Sequence, residues 1–127
     1  DRWGTDTVRV TGFTADVQAE LRQSAVFVFP SECEGFAKST LEAAACGLPL
    51  IATQESGDAV VDGETGVVIP ANHLDALAAA LEKAAGDRDR LVEMGKKGRE
   101  RVANCLTWDH YRLRLLHGYA RAMEGRR

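Results

Sequence analysis

Apolar positions along this chain follow two rhythms. From Val8 to Pro70 they come as short runs separated by polar, glycine-punctuated stretches; from Asn72 onward they recur at helical spacing. Val8-Arg9-Val10-Thr11-Gly12-Phe13 is a β-branched run ending at a glycine and predicts a first strand. Thr14 or Asp16 can cap the segment that follows, where Val17, Leu21 and Ala25 share a helical face. Ala25-Val26-Phe27-Val28-Phe29-Pro30 is continuously apolar and bounded by proline, which predicts a strand buried on both faces of a parallel sheet. A loop and a run of good helix formers lead to Gly47, and Pro49-Leu50-Ile51-Ala52-Thr53 is another apolar strand. Gln54 to Gly66 reads as loop, with Ser56-Gly57-Asp58, Asp62-Gly63 and Gly66 as turn residues and Ala59-Val60-Val61 compatible with a helical turn. Val67-Val68-Ile69-Pro70 is the last strand.

The remainder is helical. Asn72 is the expected N-cap of a helix in which Leu74, Leu77, Ala78, Leu81 and Ala85 line one face. Leu91, Met94, Val102 and Cys105 continue the period after Gly86-Asp87, with Gly95 and Gly98 inside it. A glycine there costs about 1 kcal/mol against alanine, so close packing is its expected reason. Thr107 caps a final helix with Trp108, Tyr111, Leu115, Tyr119 and Met123 on one face; Met94, Trp108 and Met123 read as core. Strands alternating with helices predict an α/β domain, a partial doubly wound, Rossmann-like parallel sheet of about four strands with flanking helices. It is a single domain over 1–127, with strand–helix units over 8–70 and a helical part over 72–124. Right-handed crossovers bring the loops Ser31–Phe36 and Gln54–Asp58 to one sheet edge, where such folds bind ligands.

Composition narrows the classes. At 127 residues, 45% hydrophobic and 28% charged, the chain is of globular type, and a net charge of −3 supplies no field for nucleic acid. Three cysteines (Cys33, Cys46, Cys105) without CxxC spacing fit neither a disulfide framework nor a zinc site, and suit a reducing compartment. No run reaches membrane-spanning length and Asp1-Arg2-Trp3-Gly4 is no signal peptide. The expected location is the cytoplasm, including the cytoplasmic membrane face for a full-length protein.

Chemistry concentrates between Ser31 and Pro49. A strand, a glycine-containing loop and a helix N-terminus form an anion site, because unpaired N–H groups and the helix dipole face whatever lies in front. Glu34 and Glu42 stand with seven residues between them, one in the loop and one in the helix. Gly35, Ala37 and Ser39 are small enough for a diphosphate to approach the backbone, and a carboxylate suits a sugar diol. Glu42 could then reach a ribose and Glu34 a hexose. Plainer readings exist: Glu34 as a first-turn charge, Glu42 as the i,i+4 partner of Lys38, Gly57 as a turn residue needing positive φ, the functional alternative for the last being that Thr53 to Gly57 forms the floor under the phosphates. A glycosidase pair fits poorly, with one carboxylate in a loop and the other in a helix body. His73, His110 and His117 lie in the late helices and read as surface or packing residues, and Cys33 as a small core-facing one.

With these residues laid out, the chain resembles the C-terminal, donor-nucleotide-binding domain of the GT-B-fold retaining glycosyltransferases of family 4, also called glycosyl transferases group 1. The parts fall in family order from Val10-Thr11-Gly12-Phe13 through Val28-Phe29-Pro30-Ser31, Glu34-Gly35-Phe36 to Glu42-Ala43, and Cys46-Gly47-Leu48-Pro49-Leu50-Ile51-Ala52-Thr53. Ser56-Gly57, Asp62-Gly63-x-x-Gly66, Asp75-Ala76-Leu77, Met94-Gly95 and Thr107-Trp108 follow. The resemblance implies transfer of a hexose from a UDP- or GDP-sugar with retention, and no metal or other cofactor. It assigns Glu34 to the hexose hydroxyls as the catalytic carboxylate, the backbone of Gly35, Phe36, Ala37, Lys38 and Ser39 to sugar and diphosphate, and Glu42 to the ribose. Ala37 stands where the family often has glycine, and Lys38, Ser39 and Thr40 are polar where it is commonly apolar.

The resemblance also implies parts this chain does not contain: an N-terminal acceptor domain, and two strands lying between the Val8–Phe13 and Ala25–Phe29 strands. The first strand is therefore expected to slide beside the second, or a second copy to associate through the open edge or the exposed final helix. The isolated chain is expected to be inactive. The alternative is a stand-alone nucleotide- or phosphate-binding or oligomerisation module.

Overall fold

The structure is a computed structural model and describes residues 8–125. Three parallel strands, β1 (Phe27–Phe29), β2 (Leu50–Thr53) and β3 (Gly66–Ile69), lie in the order β1-β2-β3. Phe27 pairs with Leu50, and Leu50 with Gly66. The helices are α1 (Val17–Arg22), α2 (Lys38–Ala45), α3 (Leu74–Gly86), α4 (Arg88–Cys105) and α5 (Trp108–Glu124), with a 3₁₀ turn at Gln54–Ser56. The α/β class and its flanking helices are as the apolar rhythm predicts.

The middle strand β2 is buried at every position. One face carries Leu50 and Ala52 against Leu21, Ala43, Ala44, Leu48, Ala59 and Val60; the other carries Ile51 against Ile69 and Ala80. The helix α2 forms because Leu, Glu and Ala favour it, and it ends in a Schellman turn. Gly47, at φ 82°, donates its N–H to the Ala44 carbonyl at 2.9 Å, while Leu48 N–H reaches the Ala43 carbonyl at 3.0 Å. That turn is where α4 approaches most closely: a Cβ built on Gly95 would lie 1.9 Å from the Gly47 carbonyl oxygen. Gly66 is likewise required by space, since its Cβ would meet the Leu50 oxygen at 2.0 Å.

Several expectations are corrected. Val8–Phe13 forms no strand, so the described sheet has three strands; Val10 and Phe13 are 90% and 96% exposed. A β-branched run becomes a strand only where a neighbour offers its backbone partners, and this segment has not slid beside β1. Its described ion pair, Arg9 to Glu20 at 3.5 Å, is exposed and worth little. The β1 strand is half-buried and lies at the sheet edge instead of being covered on both faces. Ala59–Val61 is not helical, with Ala59 and Val60 buried and Val61 half-buried.

Helix faces and caps differ as well. In α1 only Leu21 is buried, and Ala25 lies beyond its end. Asn72 adopts φ 56°, so His73 caps α3, its Nδ1 accepting the Ala76 N–H at 3.1 Å. The packed face of α3 is Ala76, Leu77, Ala80 and Ala84, while Leu74 and Leu81 are exposed; in an alanine-rich helix apolar residues extend well beyond the packed face and hide its phase. Met94 is core, but Trp108 and Met123 are 77% and 72% exposed. No residue of α5 is buried. Cys33 is exposed, not core-facing.

Candidate functional site

Because the strands are parallel, the chain leaves all three at the same edge: through Ser31–Phe36 after β1, Gln54–Asp58 after β2 and Pro70–His73 after β3. The first two loops are joined by hydroxyl contacts. Thr53 donates its Oγ1 proton to the Ser31 carbonyl at 2.5 Å and lies 3.0 Å from Ser56 Oγ, which reaches the Phe29 carbonyl at 3.2 Å. The Ser56 carbonyl in turn accepts the Ala37 N–H at 3.4 Å. Gly57 takes φ 99°, and a Cβ there would meet the Phe36 ring at 3.2 Å, so the aromatic ring lies against this turn.

The N-terminus of α2 opens directly beyond this seam. Its N-cap residue, Ala37, has no side-chain oxygen to offer and no side-chain cap is made. The other four helices are capped by Asp16, His73, Asp87 and Thr107. No acidic residue lies in the first turn of α2 either, so its dipole is uncompensated from within. The first-turn amides of Lys38 and Ser39 therefore have no side-chain cap to receive them.

The predicted site residues fall around this opening. Glu34, Gly35 and Phe36 are in the exposed loop before it, and a Cβ on Gly35 would meet nothing within 4 Å. Ala37 is buried and its amide is engaged by Ser56. Lys38 and Glu42 are exposed on α2, Ser39 half-buried, Thr40 buried with its hydroxyl on the Ala37 carbonyl at 2.6 Å. Two plain readings fail here. Glu34 precedes the first turn of α2, and no Lys38–Glu42 ion pair occurs among the described residues. Thr53 and Ser56 belong to the stretch whose functional alternative was a floor under the phosphates; the burial and cross-loop reach of their hydroxyls are invisible to spacing, since their partners lie 22 and 27 residues away.

Other concavities carry less. A small apolar cavity under α3 and α4 touches Ile51, Ala80 and Met94, away from the loop edge. A polar cleft beside β3 is lined by Asp58, Asp62 and Arg101; Arg101 Nε donates to the Asp58 carbonyl at 2.9 Å, and Asp62 accepts the Val68 N–H at 3.0 Å. Among the described residues no three His, Cys, Asp or Glu side chains group as a metal site.

The sequence profile of the family described as glycosyl transferases group 1 matches residues 1–87. The chain belongs to that family. Among its relatives, D-inositol 3-phosphate glycosyltransferase of Gordonia bronchialis is 39% identical over 105 residues, 81% of this chain and 23% of that protein. The GDP-mannose-dependent alpha-(1-6)-phosphatidylinositol monomannoside mannosyltransferase of Mycobacterium tuberculosis is 34% identical over 115 residues, 82% of this chain and 30% of the relative. Sucrose-phosphate synthase from Thermosynechococcus elongatus superposes with a TM-score of 0.71 at 32% identity, over 84% of this chain and 27% of that one. The C-terminal domain of a group 1 glycosyl transferase from Francisella tularensis gives 0.66 at 27% identity, covering 72% and 50%. This group 1 chain thus has the α/β architecture of GT-B C-terminal domains, and spans about a quarter of the length of the curated relatives named here. No described helix is long and apolar enough to cross a membrane.

Proposed function

We propose that this group 1 chain is the donor-binding part of a retaining hexosyltransferase of family 4, acting on a UDP- or GDP-sugar. The observation that carries the reading is the uncapped N-terminus of α2, opening at the strand-exit edge between two exposed carboxylates, Glu34 and Glu42. Backbone amides of Gly35, Phe36, Lys38 and Ser39 would face the sugar and diphosphate, with the backbone of Ala37, whose own amide is held by Ser56, setting their direction. The helix dipole would stabilise charge on the departing diphosphate. Glu42, just over one turn into α2, would accept the ribose hydroxyls, and Glu34 the hexose hydroxyls near the reacting carbon. No metal is needed for that charge balance. An acceptor domain outside this chain would complete the site, so the isolated chain would bind donor without turning it over.

Calorimetric titration of the chain with UDP and GDP tests the reading and distinguishes the two bases. In the full-length protein Glu42→Ala should raise donor KM about tenfold or more, the scale of hydrogen bonds to a charged group. An unchanged KM overturns the ribose role, and turnover by the isolated chain overturns its expected inactivity.

A further inference from the structure

We infer that the Thr53 and Ser56 hydroxyls are positioning groups, fixing the Glu34 loop against the N-terminus of α2 and so setting the affinity for a nucleoside diphosphate. The second half of this inference rests on the donor-site reading above; the first half does not. Thr53 and Ser56 are 0% and 1% exposed, at the end of β2 and in the 3₁₀ turn after it. Their oxygens touch each other and reach the carbonyls of Ser31 and Phe29, which flank Pro30. Proline has no N–H, and here the β1 chain turns out of the ladder. Side-chain hydroxyls from the end of β2 and the turn after it take over the pairing that the sheet gives up.

The same segment holds the far end of the loop. Ser56 presents its carbonyl to the Ala37 N–H at 3.4 Å, and Gly57 lies against the Phe36 ring. Residues 53–57 thus grip the loop where it begins, at Phe29 and Ser31, and where it becomes α2, at Phe36 and Ala37. Between those grips Glu32, Cys33, Glu34 and Gly35 are exposed, with Ser31 Oγ on the Cys33 carbonyl at 3.5 Å as their described side-chain tie. Two protons serve three oxygen contacts, so the pair is a shared unit: whichever way Ser56 points, Thr53 keeps the Ser31 carbonyl. A diphosphate bound by backbone amides depends on their direction more than on any side chain, and that direction is what this unit holds.

The test compares Thr53→Val, which keeps the shape and removes the hydroxyl, with Thr53→Ser, which keeps the hydroxyl, and with Ser56→Ala. Amide hydrogen exchange of the free chain is read at Ala37, with β2 amides as the control for an intact fold. UDP and GDP are titrated into each variant by calorimetry. Thr53→Val and Ser56→Ala should each lower Ala37 protection and weaken binding of whichever nucleotide the parent binds by about fivefold or more, the scale of one lost buried hydrogen bond, while Thr53→Ser retains both. Unchanged Ala37 protection in Thr53→Val and Ser56→Ala, over an intact β2, overturns the positioning role. Equal losses in Thr53→Ser overturn it too, because packing and not the hydroxyl would then be responsible. If Thr53→Val fails to fold, Ser56→Ala decides by the same measurements. If the unsubstituted chain binds neither nucleotide, the donor-site reading falls, and with it the affinity half; Ala37 protection still decides the hydroxyl clamp.

Discussion

Gly95 and Gly98, three residues apart in α4, place opposite demands on the chain. Helix propensity alone says that alanine at either position should stabilise by about 1 kcal/mol. At Gly98 the nearest neighbours of an added Cβ are 3.7 to 3.9 Å away, ordinary contact, so Gly98→Ala should gain a few tenths to about 1 kcal/mol. At Gly95 the Cβ would strike the Gly47 backbone oxygen at 1.9 Å, and neither backbone has a flexible side chain to move aside. Overpacking of about 1–3 kcal/mol outweighs the propensity gain, so Gly95→Ala should destabilise. Urea unfolding of both variants checks the pair of signs. Both glycines could be flagged in the sequence as anomalies of a helical pattern, but not told apart. Caps follow the same line. Asp16 and Thr107 could be read from residue type, whereas Asn72 gave way to His73 because a left-handed residue cannot begin the helix.

Elements were legible where burial enforced their period and illegible where it did not. The strand β2 is enclosed on both faces and matches its apolar run. Val8–Phe13 has strand composition and no ladder, and α3 has the right period with its face shifted onto alanines. The final helix α5 is the extreme case: Trp108 and Tyr111 meet edge to face at 5.8 Å, yet nothing on the helix is buried. A 17-residue helix without tertiary packing is marginal in water. Its amides should therefore exchange orders of magnitude faster than those of β2; comparable protection would show that α5 is covered in solution. The Ser31–Phe36 loop lies between these extremes, since its carboxylates and small residues were readable but the contacts that the Thr53 and Ser56 hydroxyls make at its start were not.

For the molecule as a whole, the two rims of the sheet are unequal. The outer edge of β1 has no paired strand among the described residues, while on β3 the Asp62 carboxylate already occupies the Val68 N–H. An open edge is a template for pairing, although three residues make a short one. The chain should therefore self-associate as its concentration rises, which sedimentation velocity would detect; a monomer at every concentration would contradict this. One blocked rim also fixes how far such association can go. A two-fold pairing of β1 edges consumes the open rim of both copies and leaves a β3 rim at each end, so the assembly is a closed six-stranded pair instead of a growing array. The turn at Asp62 and Gly63 is thus a chain terminator in the polymer chemist's sense, its backbone bridging Gly66 and its carboxylate holding the Val68 N–H. Asp62→Ala frees that one N–H and leaves the bridge in place, so the sedimentation profile should stay at dimers; a ladder of larger species would show that the carboxylate alone closes the rim.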